Sequence, residues 1–382
     1  MPASSCYLDN SATTRPFDEV IAAVAHSMAD GWHNPSAAYP LGLTVEDEIS
    51  RARALIGKAL GGGRLVFTSG GTEADNLAIF GAATSKRSRF VTSAVEHPAV
   101  LAAFEELRAR GQDVIVLPVD GSGLVPMEAL ADAVNENTAL VSVMHVNNET
   151  GAIHDIERFA AVIRSQSPGA VFHSDGVQAF LKVPAQPAKW GVGLYSVSAH
   201  KVHGPKGVGA LLIGDAVRLQ PHLHGGGQEQ GMRSGTENTH GILGFAKAVE
   251  VYSQGLEQRR AAMMQCKLAL AEGLLAIDGA AVNGPAPEDG APHILNVSFE
   301  GVTGEVLLRA LAEQGVFVST GSACGARQRK PSTTLKAMGL SDARVGSAIR
   351  FSLSTMNTME DIARAAEAVS AQVKRLRLFK RR

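Results

Sequence analysis

Residues 194–201 read Leu-Tyr-Ser-Val-Ser-Ala-His-Lys. A short apolar run, 194–197, gives way at once to Ser198, Ala199, His200 and Lys201. A strand covered on both faces has this continuous apolar signature. The same pattern recurs on either side. Residues 65–68, 89–93, 114–117, 139–144, 171–174 and 208–213 are further strand candidates. Helical stretches are expected between them at 74–83, 99–110, 127–135 and 156–165. This alternation predicts an α/β fold with a mainly parallel, seven-stranded sheet. Ligands of such sheets bind at the carboxyl ends of the strands, so the residues just after each strand carry the chemistry.

Beyond the sheet lies a glycine-rich stretch, 225–235, and then one long helical segment, 241–273. A second, α+β part follows, with strands expected at 294–299, 316–319 and 348–353. Its helices are expected at 305–314, 333–338 and 359–376. Thr358 with Asp361 has the spacing of a capping box for the last helix.

Composition narrows the class. Of 382 residues, 36 are Lys or Arg and 37 are Asp or Glu, a net charge of −1. That balance argues against direct electrostatic binding of nucleic acid. No apolar run approaches the ~18 residues of a membrane helix, and residues 1–10 lack a secretory pattern. The three cysteines, Cys6, Cys266 and Cys324, suit a reducing compartment, here the cytoplasm. No metal site is expected. Cys6 and Cys266 read as structural.

Five strand ends carry polar residues. They are Ser69-Gly70-Gly71-Thr72, Glu96-His97-Pro98, His145 to Glu149, Asp175-Gly176-Val177-Gln178, and Ser198 to Lys201. The glycine pair before a helix start is a phosphate cradle in form. Neither the P-loop nor the dinucleotide fingerprint is present. Each group alone is commonly structural, but all five converge on one crevice. A lysine able to form a Schiff base, an aspartate for a pyridinium nitrogen, a histidine and a phosphate loop are what pyridoxal 5'-phosphate requires.

With these residues in view, the chain resembles the cysteine desulfurases of the NifS/IscS type, class V aminotransferases among the fold-type I transferases dependent on pyridoxal phosphate. The resemblance runs from Tyr7-Leu8-Asp9-Asn10 and Asn34-Pro35-Ser36, through the five strand ends, to Arg233-Ser234-Gly235-Thr236. It closes on Gly321-Ser322-Ala323-Cys324 and Arg350-Phe351-Ser352. It implies a large cofactor-binding domain, 15–255, and a small domain, 1–14 with 256–382, carrying the cysteine loop. Lys201, not Lys206, would hold the cofactor covalently. Asp175 would pair with the ring nitrogen, Gln178 and Asn148 with the phenolic oxygen, and His97 would stack on the ring and shuttle protons. Gly71, Thr72, Ser198 and His200 would hold the phosphate. Thr236 would reach the phosphate of a second subunit, so a homodimer is implied. Asn34, Asn148 and Arg350 would bind substrate, the first and last through its carboxylate. The implied activity removes sulfur from L-cysteine, leaving L-alanine and a persulfide on Cys324 for a sulfur-acceptor protein, as in iron–sulfur cluster assembly or nucleic-acid thiolation. Two departures stand out: Tyr39 where a histidine is common, and Gly325 directly after the cysteine. The other readings of these residues are another reaction of the same cofactor, such as selenocysteine lysis, or a non-catalytic scaffold.

Overall fold

The computed structural model describes residues 5–83, 86–321 and 331–380. Cys324 lies outside the described residues. The main sheet has seven strands: β2 (Arg64–Thr68), β3 (Arg89–Ser93), β4 (Asp113–Leu117), β5 (Thr138–Ser142), β6 (Val171–Asp175), β7 (Leu194–Ser198) and β8 (Gly209–Ile213). Their order is β2-β8-β7-β6-β5-β3-β4, and only β8 runs antiparallel to its neighbours.

The apolar runs are continuous because both faces are covered. Leu65, Phe67, Val141, Tyr195 and Leu212 belong to one core cluster, and Val66, Leu140, Leu194 and Leu211 to another. Successive strand residues point to opposite faces, so each run feeds two cores. On the first face lie the helices Asp18–Asp30 and Pro40–Ala59, each packed on Thr239–Ser253. The second face carries the helices Gly71–Ala82 and Pro98–Ala109.

A third cluster, built on Leu270, Val297, Leu307, Phe351 and Val369, forms a separate core. Its strands are β9 (Ala280–Val282), β10 (Ile294–Phe299) and β12 (Ala348–Ser352), in the order β12-β10-β9. Strand β1 (Cys6–Tyr7) pairs in parallel with β11 (Val316–Phe317), so the amino-terminal stretch joins this part of the fold. Cys6 and Cys266 are buried thiols in the same core. The capping box at Thr358 forms in both directions, each bond 3.2 Å.

One expectation is corrected. The helical segment 241–273 is two helices, Thr239–Ser253 and Leu256–Leu275. Gln254 is extended and Gly255 has φ 64°, a left-handed conformation that ends the first helix without the penalty a side chain would bring.

The glycine-rich stretch is tied down by a buried carboxylate. Glu229 accepts two bonds from Arg53, at 2.6 and 2.8 Å, and one from the Phe67 N–H at 2.9 Å. Replacing Arg53 with Met leaves that carboxylate buried and unpaired. The expected cost is about 3 kcal/mol, the low end for a broken buried pair because Arg53 is partly solvated. Urea unfolding checks it; a change below about 0.5 kcal/mol would contradict the burial argument.

Buried histidines make stability depend on pH. Burial pushes His145, His173 and His200 down to about 3, and His154 and His203 to about 4. His97 and His293 are lowered as well. An unfolded histidine gains its proton near 6.5, whereas the folded ones stay neutral until far lower pH. The unfolded state then binds more protons, so stability falls as pH drops below 6.5. Four buried carboxyls, Asp75, Glu96, Glu149 and Asp175, have raised values, Glu96 up to about 8, and act in the opposite sense. The histidines outnumber them. The unfolding free energy should therefore fall between pH 6 and 5, where the histidines of the unfolded chain are mostly charged. A rise over that range would show that the carboxyls dominate.

Candidate active site

The carboxyl ends of β2, β3, β5, β6 and β7 open into one cavity of about 240 Å³. Gly71, Thr72, His97, Asn148, Asp175, Gln178, Ser198, His200, Lys201 and Arg350 all line it. Ten residues singled out along the sequence thus meet at one place.

Lys201 ends the short 3-10 turn Ala199–Lys201 that follows β7. Its Nζ donates to the carbonyls of Ser11 at 2.5 Å and Ala12 at 2.8 Å. Asp175 is the last residue of β6, and its Oδ1 accepts from the Val177 N–H at 2.9 Å. Burial raises the Asp175 carboxyl, while His97, the Val177 N–H and Lys201 pull it back. The turn after it is shaped by contact: a Cβ at Gly176 would lie 2.0 Å from the Tyr195 ring. Tyr195 is held in turn by its hydroxyl, 2.8 Å from His145 Nδ1.

His97 is the N-cap of the helix Pro98–Ala109, and its Nδ1 accepts from the Ala99 N–H at 3.2 Å. Burial lowers its pKa, against the pull of Asp175 and with help from Lys201. The ring is therefore neutral at pH 7 and carries its proton on Nε2. Gln178 donates to the Ser11 carbonyl at 2.9 Å, and its Oε1 accepts from Lys182 at 3.2 Å. Arg350, on β12, is 1% exposed. Its Nη1 donates to the Asn148 carbonyl at 2.9 Å and its Nη2 to Asp9 at 2.8 Å, while Nε has no hydrogen-bond partner among the described residues.

The residues fit pyridoxal phosphate. Ser198 Oγ is buried in the cavity wall with no hydrogen-bond partner among the described residues. Beside it begins the helix Gly71–Ala82, whose first-turn N–H groups have no helical acceptor. Gly71 cannot carry a side chain there, since a Cβ would come within 2.8 Å of Val177 Cγ2. That leaves an anion cradle at one end of the cavity and a buried carboxylate, Asp175, in the same wall.

Two expected residues stand apart. Asn34 is exposed, with its Oδ1 bonded to the Ser36 N–H, and Thr236 is exposed on the glycine-rich stretch. Neither lines the cavity of this chain. Other residues were not singled out by sequence. Asp75 lines the cavity, is 1% exposed and has an Oδ1 that lies 3.6 Å from His173 Nε2 and makes no hydrogen bond among the described residues, with burial raising its pKa. Asp9 pairs Arg350, and the carbonyls of Ser11 and Ala12 receive Lys201. Only their place in a long shared motif could have marked them.

Known proteins give the same picture. The class-V aminotransferase family profile matches residues 6–365. The cysteine desulfurase IscS of Methanosarcina thermophila is 40% identical over 376 residues, covering 97% of this chain and 92% of its own. A solved NifS-like protein superposes with a TM-score of 0.91 at 34% identity, covering 97% of this chain and 99% of its own. The structure titled SspA in complex with cysteine reaches a TM-score of 0.80 at 32% identity, covering 93% of this chain and all of its own. On sequence, fold and cavity together, the chain belongs to the class-V aminotransferase family, among its cysteine desulfurases.

Proposed function

We propose that this protein uses pyridoxal phosphate to take sulfur from L-cysteine, releasing L-alanine and leaving a persulfide on Cys324. The observation that carries the proposal is the single cavity shared by Lys201, His97, Asp175 and Arg350. When bound, pyridoxal phosphate supplies the electron sink that weakens the substrate carbon–sulfur bond. Lys201 would hold the cofactor, and its amine would take the proton from Cα of the substrate. Asp175 stabilises positive charge at the ring nitrogen. His97 gives and recovers a proton through Nε2. Arg350 binds the substrate carboxylate with N–H groups not used by Asp9 and Asn148. Ser198, His200, Gly71 and Thr72 hold the phosphate. The Cys324 thiolate takes the sulfur and passes it to an acceptor protein. The solved relative in complex with cysteine supports this substrate class.

Residues 15–255 form the domain that holds the cofactor, and 1–14 with 256–382 form the one that carries Cys324. Thr236 is exposed and outside its own cavity, which suits a role in a partner's site within a homodimer. Among the described residues no helix is long and apolar enough to cross a membrane. We place the enzyme in the cytoplasm.

Borohydride treatment of the yellow holoenzyme should fix the cofactor on the peptide containing Lys201. A label on Lys206 would overturn the lysine assignment. Replacing Cys324 with Ser should leave the spectral response to L-cysteine intact while alanine release falls by several orders of magnitude, the scale for loss of a covalent nucleophile. Alanine release near the parent rate, with sulfide appearing directly, would replace the persulfide reading with a lyase.

A further inference from the structure

Gln178 lines the cavity, and a side-chain amide can sit either way round. Its surroundings fix one orientation. Nε2 donates to the Ser11 carbonyl at 2.9 Å, the same carbonyl that receives Lys201 at 2.5 Å. On the other side Oε1 accepts from Lys182 Nζ at 3.2 Å and lies 3.3 Å from His293 Nε2. The Ser11 carbonyl can only accept, so the reverse orientation would set oxygen against oxygen. Lys182 and His293 do not line the cavity; they are 4% and 0% exposed, on the Oε1 side of the amide. Among the described residues, that oxygen is the one side-chain hydrogen-bond partner of each. With Oε1 as acceptor, His293 carries its ring proton on Nε2.

The backbone places both donors firmly. Lys182 follows Leu181, whose φ of 62° is a left-handed conformation that a bulky residue rarely adopts. The carbonyls on either side of it, Leu181 and Val183, accept from Arg260 of the helix Leu256–Leu275 at 3.1 and 2.7 Å. His293 comes from a distant segment, directly before β10, and its carbonyl accepts from the Leu353 N–H at 2.9 Å. Two remote stretches thus deliver N–H groups to one amide oxygen. The surroundings are basic. Among the described residues no carboxylate pairs with Lys182; the charge acting on it is Lys201, and it acts in turn on His200, His203 and His293. Lys267, Arg350 and Lys201 act on His293 as well. Burial and these charges push both Lys182 and His293 well below their ordinary ranges. A buried lysine without a counter-ion is costly, and an apolar side chain would serve packing better.

We propose that Lys182 and His293 are positioning residues that hold the Gln178 amide with its oxygen turned from the cavity and its N–H groups toward it, so that Gln178 meets the bound cofactor only as a hydrogen-bond donor. The proposal rests on pyridoxal phosphate as the cofactor and on Gln178 as its contact at the phenolic oxygen. A donor there stabilises negative charge on that oxygen, so the bound chromophore gives up its proton at lower pH.

Titrating the visible absorbance of the holoenzyme with pH reads this without turnover. Lys182→Met and His293→Leu should each raise the midpoint by roughly half a pH unit, a change of about threefold in proton affinity and the size of one weakened hydrogen bond. Gln178→Ala should raise it at least as far. In the Gln178→Ala background neither substitution should move the midpoint further, because both act through the amide. An unchanged midpoint in Lys182→Met and His293→Leu would overturn the proposal. So would shifts that persist undiminished without the amide, since Lys182 would then act on the cofactor by charge alone. An unchanged midpoint in Gln178→Ala would remove the contact at the phenolic oxygen, and the proposal with it, while leaving the cofactor in place. Absence of a visible band from the parent protein would overturn the cofactor reading itself. Lys182→Met relieves a buried basic group and keeps the fold; should His293→Leu fail to fold, Lys182→Met decides alone.

Discussion

Two cations govern how the chain is assembled. Arg350 is almost wholly buried, and an unpaired charge at such a position costs several kcal/mol. It is neutralised by Asp9 and capped by the Asn148 carbonyl. Lys201 finds its acceptors two residues further along the same stretch, at Ser11 and Ala12. That stretch cannot drift, because Asn10 N–H bonds Ser352 O at 3.0 Å, Ser11 N–H bonds Ser352 Oγ at 2.8 Å, and Thr14 N–H bonds His200 O at 2.9 Å. Residues 9–14 therefore fasten the end of β7 to the end of β12. The fold brings lysine and arginine into one cavity because a single polar segment must satisfy both.

The main sheet was legible because its signal is local. Each strand is a short apolar run with a polar step at its carboxyl end, and covering both faces removes the alternation that would blur the pattern. The helices Asp18–Asp30 and Pro40–Ala59 were not read from the sequence. Ile21, Met28, Leu41, Leu43 and Leu55 are exposed on them, so the apolar stripe that marks a packed helix is spoiled by apolar residues on other faces. Strands β1 and β9 have two and three residues, too few for any period. Their existence depends on partners far away in sequence. Gly255 carries the local signal for the break between the two helices.

The site divides along the same line. Lys201, His97, Asp175 and Gln178 stand at strand ends, where topology gives a residue its meaning without further information. Asp75 and Glu149 take their character from burial by distant segments, and nothing within ten residues of either reports that. Gly176 was visible only as part of a motif. Its physical reason is the Tyr195 ring against the turn, a contact between neighbouring strands that no single-strand reading contains. Asn34 and Thr236 rest on resemblance alone, and within one chain both lie apart from the cavity.

His97 shows how the scaffold sets chemistry as well as place. Its ring is oriented by the backbone: Nδ1 receives the Ala99 N–H, and the proline at the next position fixes the start of the helix. The loop before it is held by Glu96, which receives the Ser93 hydroxyl at 2.5 Å and the Met144 N–H at 2.8 Å, tying the end of β3 to the end of β5. With Nδ1 occupied and the ring kept neutral by burial, the proton resides on Nε2. A shuttle that starts in this form must donate before it can accept. In the proposed shuttle the order of the two proton transfers would then follow from a helix cap, a piece of backbone geometry decided when β3 turns into its helix.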